Sequence, residues 1–272
     1  MIIKCLQKIK GKIHQLKANI ALNKVVKSEE AVSETTFLLD GWKESLSYPT
    51  KYYLKCVSFF YRGLPVLLRD HREYFSKEGR GFGEDAFHVM WWMIFKELKP
   101  EKFLEIGVYR GQTLSLASLL QKHFAIQGSV TGISPFLSVG DTVSKYRTDV
   151  DYLNDTRVKF RKFELSSPIL VKAYSTDREA LAKIKSQLWD AIYIDGNHDY
   201  IVAKRDWEVC SENIRMGGVV ILDDSALTTD FRPPAFATGG HPGPSQITQE
   251  IDASRFREIL QVGHNRVFQR IK

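Results

Sequence analysis

The residues best placed to do chemistry are three aspartates in two short segments. Asp195 closes the apolar run Trp189–Ile194, in Asp190-Ala-Ile-Tyr-Ile-Asp195-Gly-Asn-His198, and Asp223-Asp224 closes Val219–Leu222. If each run is a strand and the two are neighbours, their ends lie ~5 Å apart. Carboxylates that close either raise one another's pKa or recruit a cation. Oxygen donors suit Mg²⁺ or a similar hard ion, with water or substrate oxygens completing the shell. A lone aspartate at a strand end more often caps the following helix; three at adjacent ends favour the metal. His198 follows Asp195 on the loop above the same rim, where a histidine can take a proton at neutral pH. Without a cation beside it, the same residue reads as an ordinary loop histidine. His241, in Gly239-Gly-His-Pro-Gly-Pro244, and Arg232 lie on a long loop after the fifth strand that could cover a pocket, and are weaker substrate-contact candidates. The other histidines, such as His14 and His71, have no such setting.

A second candidate site is Glu105-Ile-Gly107-Val-Tyr109-Arg-Gly111-Gln-Thr113, between a strand and a helix. Doubly wound sheets bind ligands there, outside the carboxyl ends of the strands. Glycine lets backbone approach a ligand, and the helix N-terminus offers free N–H groups to an anionic group such as a carboxylate. The spacing is not GxGxxG, so a pyrophosphate is not the obvious ligand, and the motif alone does not exclude a plain tight turn.

Both sites need a parallel sheet to position them. Short apolar runs predict strands at Phe103–Ile106, Ser129–Ile133, Ile169–Tyr174, Trp189–Ile194 and Val219–Leu222, the last entered through a Gly217-Gly218 turn. Between them, helices are expected over Ala86–Leu98 (ended by Lys99-Pro100), Leu114–Phe124, 141–165, Arg178–Ile184 and Tyr200–Asn213. Ile259–Val262 and Arg266–Ile271 flank Gly263 and predict a final hairpin. Strands alternating with helices imply an α/β fold with helices on both faces of the sheet.

The 272 residues accommodate one large domain, or a core with a smaller appendage. Residues 28–80 read as an irregular, mostly helical prelude. The net charge of +7 comes from residues 1–27, which hold seven lysines and no acid, so the rest balances to zero. That confinement argues against a nucleic-acid partner. Ile2, Leu6, Ile9, Ile13, Leu16 and Ile20 recur at helical spacing among those lysines. Such a helix packs on its own core or a sister subunit, or rests on an anionic membrane surface. No apolar run reaches the ~20 residues of a membrane span, and no secretory signal is evident. Cys5, Cys56 and Cys210 lie far apart, as suits a cytoplasmic protein and neither a disulfide framework nor a zinc site.

Together these segments resemble the class I S-adenosylmethionine-dependent methyltransferases. The resemblance covers residues 81–272, leaving 1–80 as a helical extension. Three pieces carry it: Glu105-x-Gly107-x-x-x-Gly111-x-Thr113, then Tyr193-Ile-Asp195-Gly-Asn-His198-Asp-Tyr200 with Asp206, then Gly217-Gly218-x-x-x-x-Asp223-Asp224-Ser225. The first is generic to the class. The other two resemble the group of macrocin O-methyltransferase and the cephalosporin hydroxylase-like proteins, with catechol O-methyltransferase a more distant relative.

The resemblance implies a Rossmann-like seven-stranded sheet of order 3-2-1-4-5-7-6 with its last strand antiparallel. It also implies that Glu105, Gly107, Tyr109, Gly111 and Thr113 hold the methionine end of S-adenosylmethionine, with Phe82 and Gly83 approaching from upstream. Asp195, Asp223 and Asp224 match the family's Mg²⁺ carboxylates, Asp195 also touching the cofactor. His198 stands where the catechol enzyme has its lysine base. One departure matters: the second strand ends Gly132-Ile133-Ser134, where the family usually places an acid that binds the ribose. Serine gives no carboxylate fork, so affinity falls or Asp141 substitutes; Ser175 is an adenine-side candidate. The implied reaction is transfer of a methyl group to a hydroxyl of a sugar or other polar small molecule. The alternatives are a membrane-associated enzyme acting on a lipid-linked glycan, and a non-catalytic binding protein of this fold.

Overall fold

The computed structural model describes residues 2–28, 34–141, 143–144 and 146–272 of the chain, with no side-chain description for 2–11, 14 and 28. Helices α1 (Ile2–Ser28), α2 (Lys43–Ser47), α3 (Pro49–Arg62) and α4 (Val66–Ser76) precede α5 (Asp85–Leu98). From there strands and helices alternate: β1 (Lys102–Ile106), α6 (Gln112–His123), β2 (Ser129–Ser134), α7 (Tyr152–Lys162), β3 (Ile169–Lys172), α8 (Arg178–Ile184), β4 (Trp189–Ile194), α9 (Tyr200–Glu212) and β5 (Ile214–Leu222). The chain ends with α10 (Pro242–Ile247), β6 (Phe256–Val262) and β7 (Asn265–Arg270). The seven strands form one sheet in the order β3-β2-β1-β4-β5-β7-β6, parallel except for β7, which runs antiparallel to β5 and β6. This is the expected Rossmann-like fold.

Strand periodicity divides the core. Phe103, Ala191, Tyr193, Val219 and Ile221 face one side and pack with α3, α5, α6 and α7. Leu104, Ile106, Ile192, Ile194, Val220 and Leu222 face the other and pack with α8, α9 and α10. Successive side chains of one strand alternate between the faces, so both layers are apolar and the central strands β1, β2 and β4 are buried over most of their length. Tyr52, Tyr53, Cys56 and Phe59 of α3 join the same cluster as Trp91 and Phe95 of α5, which ties the helical extension to the sheet.

Local signals set the element ends. Pro49 opens α3, where its missing N–H costs nothing. Lys99 closes α5 at φ +47° before Pro100. Three expectations shift. Residues 141–165 are not one helix: only Tyr152–Lys162 is helical, capped by Asp151, whose side chain accepts from Asn154 N. The preceding stretch turns instead on Asp141, whose Oδ1 accepts from Val143 N at 3.0 Å and Ser144 N at 2.7 Å. The Gly217-Gly218 pair does not precede β5 but lies inside it. Trp189 pairs with Ile214 and Ala191 with Val219, so β5 bulges there, and Gly217 takes φ +76°.

The third shift concerns α1. Ile2, Leu6 and Ile9 lie outside the described side chains. Ile13, Leu16 and Ile20 are exposed, so this stripe does not pack on the chain's own core. The inward face is the opposite one: Ala18 is buried, and Leu22 and Val25 pack against the core. Small Ala18 permits a close approach to α3 that the branched residues would block. Among the described residues no helix is long and apolar enough to cross a membrane.

Candidate active site

The sheet ladder runs one residue beyond the ends of three strands. Gly107 N donates to Ile133 O at 2.9 Å, Asp195 N to Ile106 O at 2.8 Å and Asp223 N to Ile194 O at 3.0 Å. Gly107, Asp195 and Asp223 therefore stand in a row on the carboxyl rim, each fixed by its backbone. Gly107 has φ +98°, and a Cβ there would lie 1.8 Å from Asp195 O. Its role is thus to let the ends of β1 and β4 meet. A Cβ on Gly111, at φ +80°, would likewise meet Thr156 Cγ2 at 2.8 Å. Those on Gly81 and Gly83 would collide with the Gln112 side chain.

Above the rim lies a cavity of about 430 Å³. Phe82, Gly83, Glu105, Gly107, Tyr109, Thr113, Asp195, His198, Asp223 and Asp224 line it, joined by Arg110, Tyr146, Thr238, His241 and His264. Three residues expected near the cofactor stand outside that lining. Gly111 supports the turn from behind. Ser134 lies at the end of β2, and Ser175 donates to the buried Asp206. Arg232 also lies elsewhere, its side chain 74% exposed beside Asp230.

The acidic cluster is wired through histidines. Asp195 and Asp223 share a hydrogen bond in which the Asp195 carboxyl holds the proton. Burial, reinforced by the charge of Asp223, pushes Asp195 well above the carboxylate range. Burial would raise Asp223 too, but the imidazolium of His264 outweighs it and holds Asp223 low. His264 Nε2 lies 3.2 Å from Asp223 Oδ1 and 3.8 Å from Asp224 Oδ1. Its Nδ1 is 3.1 Å from Thr238 O. Burial opposes the charge on His264, yet Asp223 raises it to about 10, with Glu84 and Asp224 adding.

His198 is held from both ends, Nδ1 at 2.5 Å from Asp141 Oδ2 and Nε2 at 2.8 Å from Asp224 Oδ2. Burial lowers its pKa, but the two carboxylates prevail and bring it to about 9. The Asp141 carboxylate is therefore committed to His198 and its own loop, which removes it as a substitute for the ribose acid. His241 closes the group: its ring is 4.5 Å from that of His198, and Nε2 is 3.9 Å from Asp224 Oδ2.

Could these residues hold a cation? Donor atoms of Asp223, Asp224 and His264 lie within 4.8 Å of one another, as do those of His198, Asp224 and His241. Asp223 Oδ1 is buried, with the 3.2 Å ion-pair contact to His264 Nε2 but no further hydrogen bond. Two carboxylates with an imidazole fit a divalent ion, provided the histidine presents a neutral nitrogen. Asp195 joins through Asp223 rather than directly.

Glu105 is buried at the floor of the cavity, and its Oε2 has no partner. Burial pushes its pKa up to about 8, Leu114 N–H opposing and Asp223 adding. An unpaired buried acid is costly, so this carboxyl fits a ligand that brings positive charge. Phe82 stacks on Tyr109 at 4.7 Å, and Tyr109 on Tyr146 at 5.2 Å, making an aromatic wall beside the glycine turn.

Sequence reasoning missed His264 and the positioning role of Asp141. The first was within reach: Gly263 at φ +59° opens a two-residue hairpin turn. A β7 antiparallel to β5 must start where β5 ends, which brings His264 beside Asp223. Ser225 N donating to His264 O at 2.8 Å fixes that meeting. Nothing in the sequence pairs Asp141 with His198.

The sheet of this strand order is that of the Rossmann-like methyltransferase fold. Residues 104–225 match the model of a family described as Methyltransferase domain. Among solved structures, the methyltransferase PaMTH1 of Podospora anserina, solved with SAH bound, is 14% identical with a TM-score of 0.53, over 90% of this chain and 99% of that one. An O-methyltransferase from Bacillus cereus, in complex with SAH, is 12% identical with a TM-score of 0.52, over 86% of this chain and 100% of that one. No curated protein matches the sequence.

Proposed function

We propose that this chain transfers the methyl group of S-adenosylmethionine to a hydroxyl of a sugar or similar polar small molecule, with a divalent cation such as Mg²⁺ at the Asp223-Asp224 rim. The observation that carries this is a single cavity joining the glycine turn, the unpartnered Oε2 of Glu105 and the Asp223–Asp224–His264 cluster. The two SAH-bound neighbours support the choice of cofactor.

The turn from Gly107 to Thr113 and the N-terminus of α6 take the methionine end. Glu105 receives the ammonium, while Phe82, Gly83 and Tyr109 close over it. Ser134 and Ser175, at the ends of β2 and β3, mark the direction of the adenosine. Asp223 and Asp224, with Asp195 or His264 in support, would hold a divalent cation, whose charge would lower the pKa of an acceptor hydroxyl. With Asp224 engaged on a cation, Nε2 of His198 would lose the carboxylate that keeps it protonated and would be free to take the proton. Asp141 holds Nδ1–H and so sets the ring and its tautomer, as the acid does in any carboxylate–histidine pair. What the protein mainly contributes is alignment of oxygen, methyl carbon and sulfur. Buried free thiols at Cys56 and Cys210 suit a cytoplasmic setting.

Calorimetry of the full chain with S-adenosylmethionine and its demethylated product, with and without Mg²⁺, tests the reading. Micromolar binding is expected. Folded protein that binds neither would instead be a non-catalytic member of the fold.

A second reading places the same chemistry at a membrane, on a lipid-linked glycan. Exposed Ile13, Leu16 and Ile20 beside exposed Lys12, Lys17 and Lys24 favour it. Flotation of full-length protein and an Ile13→Ser, Leu16→Ser, Ile20→Ser variant with anionic vesicles decides. If the intact protein stays unbound, that face is left for a sister subunit.

A further inference from the structure

Packing on α3 uses only one face of α1. On the other, Ile2, Leu6, Ile9, Ile13, Leu16 and Ile20 are spaced by 4, 3, 4, 3 and 4 residues. That is the a/d repeat of a coiled coil, with a mean period of ~3.5 residues. From 6 to 20 the residues between them are Gln, Lys, Gly, His, Ala and Asn, so the apolar stripe is no wider than the seam itself. The repeat ends at Asn23 and Lys27, which take the next d and a places.

The structure leaves this seam unpaired. Ala18 is buried and Leu22 and Val25 pack against the core, and they hold f, c and f of the same heptads, opposite a and d. On the seam Ile13 is 49% exposed, Leu16 61% and Ile20 48%. Lys12, Gln15 and Lys17 are exposed as well, so no described side chain before Ala18 is buried. At ~1.5 Å per residue, Ile2 to Ile20 offers ~27 Å of seam.

Charge selects what covers it. Lys12 holds a g position, and Lys10, Lys17 and Lys24 hold e positions, while residues 1–27 contain no acid. A second copy of the chain would set lysine against lysine along the flanks in either orientation, which is a barrier to self-pairing. An anionic membrane would satisfy the lysines, but a helix lying in the interface sinks a broad apolar face, rich in Trp, Phe or Leu, into lipid. This seam takes two places in seven, and residues 1–27 contain no Phe, Trp or Tyr. We infer that the outward seam of α1 pairs with an amphipathic helix of a different protein, with Leu or Ile at its a and d positions and Glu at e and g. The inference does not depend on the chemistry at the Asp223-Asp224 rim. It makes α1 an adaptor, bound to α3 by one face and open to the partner on the other.

The test is fluorescence anisotropy of the full chain with a labelled four-heptad peptide that carries Ile at a, Leu at d and Glu at e and g. The same peptide with Lys at e and g is the comparison. One Glu peptide per chain is expected to bind at micromolar Kd, and the Lys peptide at least ~10-fold more weakly. The triple variant Ile13→Ser, Leu16→Ser, Ile20→Ser should weaken binding of the Glu peptide by more than ~100-fold. The triple variant Lys12→Glu, Lys17→Glu, Lys24→Glu should turn the preference toward the Lys peptide. All six side chains are exposed, so both variants should melt with the parent protein. No binding of the Glu peptide, equal binding of both peptides, or binding that survives the serine variant overturns the inference. So does a dimer of the unmixed chain, seen by sedimentation equilibrium, that the serine variant dissolves, because the seam then belongs to a second copy. Displacement of the Glu peptide by phosphatidylserine vesicles overturns it in favour of lipid.

Discussion

Gly107→Ala should unseat the rim while leaving the rest of the sheet intact. At φ +98° an alanine is strained by ~1–3 kcal/mol whatever surrounds it. Its Cβ would also stand 1.8 Å from Asp195 O, 2.3 Å from Asp195 C and 2.6 Å from Gly196 Cα, all backbone. Restoring ordinary contact means opening the ends of β1 and β4 by more than an ångström. That breaks the 2.8 Å bond from Asp195 N to Ile106 O, a net ~0.5–1.5 kcal/mol. The total is about 2–5 kcal/mol, which for a domain of this size lowers the melting temperature by ~5–20 °C. Gly79→Ala is the matched control: at φ +60°, with nothing within 4 Å of the added carbon, it carries only the backbone strain. Thermal melts by circular dichroism compare the two, and calorimetry with S-adenosylhomocysteine reads the site. The expected result is a much larger fall for Gly107→Ala, accompanied by loss of binding. If the two variants melt together, or Gly107→Ala binds normally, the close approach of Gly107 to Asp195 does not hold the rim.

The buried Glu105 gives a pH signature. Its folded pKa, about 8, exceeds the ordinary 4.5, so the native state holds a proton that the unfolded chain has lost. This group therefore makes the ligand-free protein less stable as pH rises from about 4.5 to 8. Urea melts of Glu105→Gln should show a flatter profile across that window, and an unchanged slope would refute the assignment. Binding of the cationic methyl donor at pH 7 should release close to one proton, seen as a dependence of binding enthalpy on buffer ionisation. His198→Ala should cut turnover by ~10²–10⁴-fold with cofactor affinity nearly unchanged, and Asp141→Asn should lower turnover without altering the melting temperature by more than a few degrees; intact turnover in either removes that residue from proton transfer. Asp223→Asn should abolish the response to Mg²⁺ while sparing the fold, and a wild-type titration curve would place the cation elsewhere. Ser115 Oγ lies 3.0 Å from Nε2 of the buried His71, whose Nδ1 meets His88 Nε2 at 3.1 Å; Ser115→Ala strands that nitrogen and should cost ~1–3 kcal/mol in urea unfolding.

What the sequence disclosed depended on whether a local rule governed the feature. The strand ends at Ile106, Ile194 and Leu222 were legible because the apolar runs stop at a glycine, Gly107, and at two acids, Asp195 and Asp223, and the parallel order followed from the helices between them. The glycine turn was also legible, but for a different reason than the one found: the missing Cβ of Gly107 admits the backbone of Asp195 rather than a ligand. The inward face of α1 was misread because its strongest apolar repeat is not the one that packs. Burial there is decided by fit against α3, and Ala18 fits where isoleucine does not. The extended helix expected over 141–165 failed because Asp141 satisfies two backbone donors in a turn before Asp151 caps α7.

The same distinction separates the three aspartates from the histidines that control them. An aspartate at a strand end is positioned by its own strand, so two neighbouring strands suffice to predict the cluster. His264 arrives through a hairpin and Asp141 through an irregular loop, and each meets its partner only after the sheet has formed. Their effect on the site is nonetheless decisive. Without His264, burial would drive Asp223 toward its neutral form, as it drives Asp195, and the rim would lose the charge a cation needs. Without Asp141, the ring of His198 would be held only through Nε2 by Asp224, and nothing would fix the proton on Nδ1. The carboxylates therefore supply the donor atoms, and elements distant in sequence decide which of them are ionised.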